Sequence, residues 1–168
     1  EKKVLVYNSD APIEEQVVSL LKGLKKTITT AESITGGMIS AAITSVEGAS
    51  ECFKVGYVSY SNKAKRKLLS VKKELLRKEG AVSSSVAKEM AIGAMMESEA
   101  DLAVAVTGNA GPTALEDKDI GLVYIAVCAG GKTKVEEYHF TGNRKEIRDQ
   151  CCNTALVMVR NYLLEKMT

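Results

Sequence analysis

Ser33 and Lys65 are the two side chains of this sequence whose types and settings suit joint chemistry. Ser33 stands in Thr29-Thr30-Ala31-Glu32-Ser33-Ile34-Thr35-Gly36-Gly37, where a β-branched run stops at small and hydroxyl residues. The run Thr27–Thr30 reads as a buried strand, and Met38–Ile43, beyond the two glycines, has helical character. A strand that turns sharply into a helix through Ser, Thr and Gly presents a hydroxyl and unpaired backbone N–H groups. An anion or a developing oxyanion needs such surroundings. Serine at such a turn is also a common helix N-cap, so position alone leaves both roles open.

Residues 61–69 read Ser-Asn-Lys-Ala-Lys-Arg-Lys-Leu-Leu and sort by face when wound as a helix. Lys63 and Lys67 share one side, with Arg66 nearby, whereas Lys65 lies over Leu68 and Leu69 and under Ser61. One lysine therefore points with the apolar residues toward the body of the protein. Either it snorkels along the core edge, or it is desolvated enough to serve as a general base near neutral pH. In the second case Ser33 and Lys65 form a Ser-Lys nucleophilic pair. The single histidine, His139, sits in the polar segment Glu136–Phe140 and reads as a surface residue, so a histidine-based triad is not expected.

A second turn, Thr107-Gly108-Asn109-Ala110-Gly111-Pro112, follows the apolar run Leu102–Val106. Its glycines permit close backbone approach to a ligand or an ordinary tight turn. Two such turns after two central strands would line one crevice at the carboxyl ends of a sheet, where α/β proteins bind ligands. A third feature is the start of the last helix, where Arg144, Lys145 and Arg148 place positive charge against the macrodipole. Arg148 also shares a face with Cys151, Cys152 and Ala155 and should lean inward. Either a carboxylate of the protein or a bound phosphate would compensate it. Gly130-Gly131-Lys132-Thr133 resembles the end of a phosphate-binding loop, but position 126 is alanine where that motif needs glycine, and the segment joins two strands. It is read as a hairpin turn.

The elements that must position these residues alternate along the chain. Val4–Tyr7 is a short apolar run, and Ile13, Val17, Val18, Leu20 and Leu21 keep helical spacing after the turn residues Asn8–Pro12. Strands are expected over 27–32, 53–60, 102–106, 122–127 and 132–140. Helices are expected after Gly37 and over 61–69, 72–79, 84–99 and 143–166, with Ser83 or Ser84 capping the fourth. The predicted fold is therefore an α/β/α three-layer domain with a mixed, mostly parallel sheet of about five strands, a C-terminal hairpin and a final helix. At 168 residues, 45% hydrophobic and 26% charged, the chain is expected to form one domain with its own core. A net charge of +2 gives no bulk electrostatic drive toward nucleic acid. No apolar run approaches the roughly 20 residues of a membrane span, and no charged, apolar leader opens the sequence, so a cytoplasmic location is expected. Cys52, Cys128, Cys151 and Cys152 include no C-x-x-C pair, so no structural zinc is expected, and the adjacent pair reads as reduced packing residues.

Seven segments, taken in order, resemble the CinA C-terminal domain family, which includes the nicotinamide-nucleotide amidases. They are Ala-Glu-Ser-x-Thr-Gly-Gly (31–37), Gly-Ala-Ser (48–50), Tyr-Ser-Asn-x-Ala-Lys (60–65), Gly-Ala-Val-Ser (80–83), Ala-Val-Thr-Gly-x-Ala-Gly-Pro (105–112), Gly-Leu-Val-Tyr-Ile-Ala (121–126) and Thr-Gly-x-Arg (141–144). The resemblance implies hydrolysis of nicotinamide mononucleotide to nicotinate mononucleotide and ammonia, without metal or cofactor. It implies Ser33 as nucleophile, Lys65 as base and Tyr60 as the assisting tyrosine, and it favours a homodimer. With the residues above it marks Thr35, Gly36, Gly37, Thr107, Gly108, Asn109, Gly111, Arg144 and Arg148 as substrate-binding. A nucleotide-binding module of weak turnover and a competence- or DNA-damage-associated interaction protein are the competing readings. The sequence departs from the family pattern at Ile34, at Asn109 and over 113–120, where a glycine-rich segment is replaced. The N-terminal nucleotide-hydrolase domain of full-length members is not among these residues.

Overall fold

The computed structural model describes residues 7–166. The apolar run at Val4–Tyr7 lies, apart from Tyr7, outside the described residues. Five strands, β1 (Ile28–Glu32), β2 (Phe53–Val58), β3 (Leu102–Gly108), β4 (Leu122–Ala129) and β5 (Lys132–His139), form one sheet in the order β2-β1-β3-β4-β5. β1 pairs in parallel with both β2 and β3, whereas β3–β4 and β4–β5 are antiparallel. Only β4 runs against the others. The expected sheet, hairpin and final helix are all present.

Alternation along β3 shows how the layers form. Leu102, Val104 and Val106 face a core built with α1 (Ile13–Leu24), α2 (Met38–Thr44) and α6 (Arg144–Glu165). Ala103 and Ala105 face the opposite core, made with α3 (Asn62–Leu69), α4 (Lys73–Glu79) and α5 (Ser84–Ser98). The fully buried side chains that the sheet turns toward α5 are small (Ala31, Ala103, Ala105, Ala126 and Cys128), and α5 answers with Ala87, Ala91 and Ala94 beside Val86 and Met90. Small residues on both surfaces let the helix lie close to the sheet. The Ser83 hydroxyl caps α5 by accepting from the Val86 N–H at 3.3 Å. Gly130 and Gly131 turn β4 into β5 with φ of 56° and 78°, the positive pair a two-residue hairpin requires. His139 is exposed on β5 beside Glu137.

Candidate active site

β1 ends at Glu32, and the next residue is held by its neighbours. The Ser33 N–H donates to the Val106 carbonyl at 3.1 Å, and the Ser59 N–H to the Glu32 carbonyl at 2.8 Å. The chain then turns, with Gly36 and Gly37 at φ of 57° and 106°, and α2 begins. The sequence reading expected free N–H groups at this helix start, and the structure corrects it. The Glu32 side chain, 0% exposed, folds back to accept from the N–H groups of Ile39 (2.8 Å) and Ser40 (3.0 Å) and from the Ser40 hydroxyl (2.6 Å). The protein's own carboxylate thus occupies the positive end of α2. Ser33 is not the N-cap either. Gly37 takes that position, with no side-chain cap.

The Ser33 hydroxyl is instead bound to Lys65. Ser61 caps α3 through the Ala64 N–H at 3.0 Å, and the eight-residue helix buries Lys65 and Leu69, one turn apart. Lys63, Arg66 and Lys67 are exposed. Leu68, expected beside Lys65 on the inner face, is 45% exposed, so the buried stripe is narrower than the periodicity suggests. Lys65 is 1% exposed, and its Nζ donates to Ser33 Oγ at 2.9 Å, the Ser59 carbonyl at 2.9 Å and the Tyr60 carbonyl at 3.4 Å. Burial drives its pKa down from 10.5 to about 8, against a smaller opposing pull from the Glu116 carboxylate.

The partner set matters as much as the burial. Carbonyl oxygens only accept, whereas a hydroxyl can donate or accept. A neutral amine has two N–H donors and one lone pair. The two carbonyls use the donors, which leaves the lone pair for the Ser33 hydroxyl. The protonated amine satisfies the same three groups by donating to each. The cage therefore fits both protonation states, and in the neutral one it aims the base at the nucleophile. That excludes the snorkelling reading of Lys65.

Ser33 and Lys65 open into a cleft of about 610 Å³ whose other walls include Thr107–Thr113, Glu116 and Arg144. This is within the usual span of small-molecule sites, about 300–1,000 Å³. Thr107, Gly108, Asn109 and Gly111 line it as expected, and Ile34 narrows it beside the serine. Gly108 is required by packing, since a Cβ there would meet Val123 Cγ2 at 2.7 Å. Asn109 is 1% exposed, and its side chain donates to the Lys118 carbonyl at 3.1 Å, which ties down the 113–120 loop.

Several expected residues lie elsewhere. Thr35, Gly36, Gly37 and Arg148 are outside the cleft lining. Arg148 leans inward, as expected, and the partners it meets there are backbone carbonyls. Its guanidinium donates to the Ile34 carbonyl at 3.0 Å and the Thr35 carbonyl at 3.3 Å, bracing the nucleophile turn from behind. Arg144 reaches the cleft, where it donates to the Gly111 carbonyl at 2.7 Å and the Tyr60 hydroxyl at 3.3 Å. The basic start of α6 is offset by a capping box between Asn143 and Glu146. Tyr60 contributes its carbonyl to Lys65, while its side chain is at the cleft mouth, 62% exposed. Sequence reasoning passed over Glu32 and Glu116. A carboxylate ending a strand buried on both faces demands donors, and that was a readable sign for Glu32. Glu116 lies in an irregular loop that carries no such sign.

The chain matches the family model of the CinA C-terminal domain over residues 10–163. It is 44% identical over 163 residues to a CinA-like protein of Syntrophomonas wolfei, covering 96% of this chain and 39% of that relative. A CinA-like protein of Endomicrobium trichonymphae is 48% identical over 148 residues, covering 88% of this chain and 35% of that relative. The chain thus spans under half the length of these curated relatives. Among solved structures, competence/damage inducible protein CihA of Agrobacterium tumefaciens superposes with a TM-score of 0.85 at 39% identity, covering 94% of this chain and 99% of that one. A competence-damaged protein (CinA) superfamily protein of Klebsiella pneumoniae gives 0.89 at 30% identity, covering 91% and 96%. The ordered motifs, the three-layer fold and these matches agree, and the chain belongs to the CinA C-terminal domain family.

Proposed function

We propose that this domain is an amidohydrolase acting on nicotinamide mononucleotide, releasing ammonia and nicotinate mononucleotide through Ser33 and Lys65. The observation that carries the reading is the 2.9 Å bond between the Lys65 amine and the Ser33 hydroxyl, inside a cage that turns the amine's lone pair onto that hydroxyl. Neutral Lys65 takes the serine proton as Oγ attacks the carboxamide carbon. Backbone N–H groups on the cleft wall, at Ile34 and in the 110–111 turn, stabilise the oxyanion, because Glu32 already occupies the donors at the start of α2. The lysine then passes its proton to the departing nitrogen, and ammonia leaves. Water, deprotonated by the same amine, hydrolyses the acyl-serine ester to the acid. Arg144, the arginine that reaches the cleft, holds the phosphate.

The test is ammonia release from nicotinamide mononucleotide by purified protein. Ser33→Ala is expected to abolish release while leaving the thermal unfolding midpoint within a few degrees. Undiminished release by that variant refutes the assignment. No release by the unaltered protein refutes the proposed function.

A further inference from the structure

The charged side chains that line the cleft are Lys65, Arg144 and Glu116. The first two have work in the proposed reaction, whereas Glu116 acts on it only as a nearby charge opposing the loss of the Lys65 proton. Its carboxylate is held at a fixed place on the wall, accepting from the N–H groups of Ala81 and Val82, each at 3.0 Å. The side chain keeps 29% exposure, so the charge is partly desolvated without being sealed off. Lys118 Nζ forms an ion pair with it at 3.6 Å from outside the cleft lining, where that amine also donates to the Glu79 and Val82 carbonyls. Arg144 is on a different wall, anchored to Gly111 and Tyr60. With Lys65 in its neutral, working state, the cleft presents one fixed cation and one fixed anion.

We propose that Glu116 is a specificity-determining residue that selects a cationic amide-bearing ring, so that with Arg144 the cleft recognises a zwitterionic nucleotide. The inference rests on the proposed function, in which the carboxamide is carried on a pyridinium ring at one end of a phosphomonoester. A carboxylate rigidly hydrogen-bonded through both oxygens interacts with such a ring by charge, and needs no rotamer search to do so. A neutral amide ring of the same shape gains nothing from it. The same charge disfavours the product, whose new carboxylate lies on the same ring.

The test separates ring charge from every other contact. Binding of nicotinamide mononucleotide and of its 1,4-dihydro form, which has the same phosphate and carboxamide on an uncharged ring, is measured calorimetrically on a Ser33→Ala background that cannot turn over. The oxidised form is expected to bind about tenfold more tightly, the scale of one partly solvated charge pair. Adding Glu116→Gln should reduce that ratio to within about twofold. Equal affinity for the two forms in the parent, or a ratio unchanged by Glu116→Gln, overturns the proposal. So does an equal loss of both affinities, which would mark Glu116 as a support for the 81–82 turn alone. Ammonia release by the unaltered protein is measured in parallel. Absence of release with the charge preference intact overturns the amidase reading and leaves Glu116 as the selector of a cationic ligand.

Discussion

The buried amine of Lys65 sets how activity should depend on pH. The fall from 10.5 to about 8 corresponds to about 3 kcal/mol against the charged form, at about 1.4 kcal/mol for each tenfold. At pH 7 about one molecule in ten then holds the neutral base, against about one in three thousand for an ordinary lysine. The plot of kcat/KM for ammonia release, measured from about pH 6 to 10 at constant ionic strength, should climb tenfold per pH unit on its acid side and level off above about 8. Stability follows the same titration. Between about 8 and 10.5 the unfolded chain still holds a proton that the native amine has lost, so stability rises with pH across that window. Below about 8 the full penalty of about 3 kcal/mol applies. Lys65→Ala should remove the acid limb and cut activity by about a thousandfold or more. A flat profile from pH 6 to 9, or a rise that continues past pH 10, would refute the claim that this amine is the base.

Arg144→Ala is expected to raise KM for the phosphorylated substrate by about tenfold or more with kcat largely kept. Arg148→Ala should instead lower kcat, because it frees the Ile34 and Thr35 carbonyls behind the nucleophile; steady-state kinetics giving the reverse pattern would exchange their roles. Glu32→Gln leaves one carbonyl oxygen to serve three donors, one buried and two part-buried, and should cost about 2–3 kcal/mol, read as a fall of about 5–10 °C in the unfolding midpoint. An unchanged midpoint would contradict the capping role. Gly93→Ala would place a methyl 1.9 Å from the Leu69 carbonyl, forcing α3 and its lysine away from α5. It is expected to cost about 3 kcal/mol or more and most of the activity, whereas Gly130→Ala, with nothing within 4 Å, should cost about 1 kcal/mol and leave turnover intact.

Much of the fold was legible because its signals are local. The alternation in Leu102–Val106, the serine caps and the Gly130-Gly131 turn each operate over a few residues, and the strands and α-helices lie close to where the sequence placed them, whereas the short 3-10 turn at Ala49–Glu51 was not expected. The boundaries were less legible. The Ser59 N–H makes the last ladder bond of the second strand, to the Glu32 carbonyl, and the Ser59 and Tyr60 carbonyls, expected inside that strand, turn to the Lys65 amine instead. Lys65 could be selected from its own segment because helical spacing assigns residues to faces. Leu68 was misplaced by the same rule, since a helix of eight residues touches its neighbour along a single narrow line. Arg148 was recognised as inward-leaning from α6 alone. Its true partners, 114 and 113 residues away in the chain, have no sequence signature, because any backbone carbonyl can accept a guanidinium.

The residue types and their periodicity by themselves determined the layered α/β architecture and the candidate pair Ser33 and Lys65, and the ordered motifs carried the resemblance to the family. Tertiary structure decided what those residues do to one another. Only the packing of α3 against α5 and the sheet brings the amine 2.9 Å from a hydroxyl 32 residues earlier and strips it of water. Only the fold turns Glu32 back onto α2, and sets Glu116 rather than Arg148 on the cleft wall. The reason is physical. Periodicity encodes which face a side chain takes, whereas desolvation, hydrogen-bond partners and local charge depend on groups brought together from distant parts of the chain.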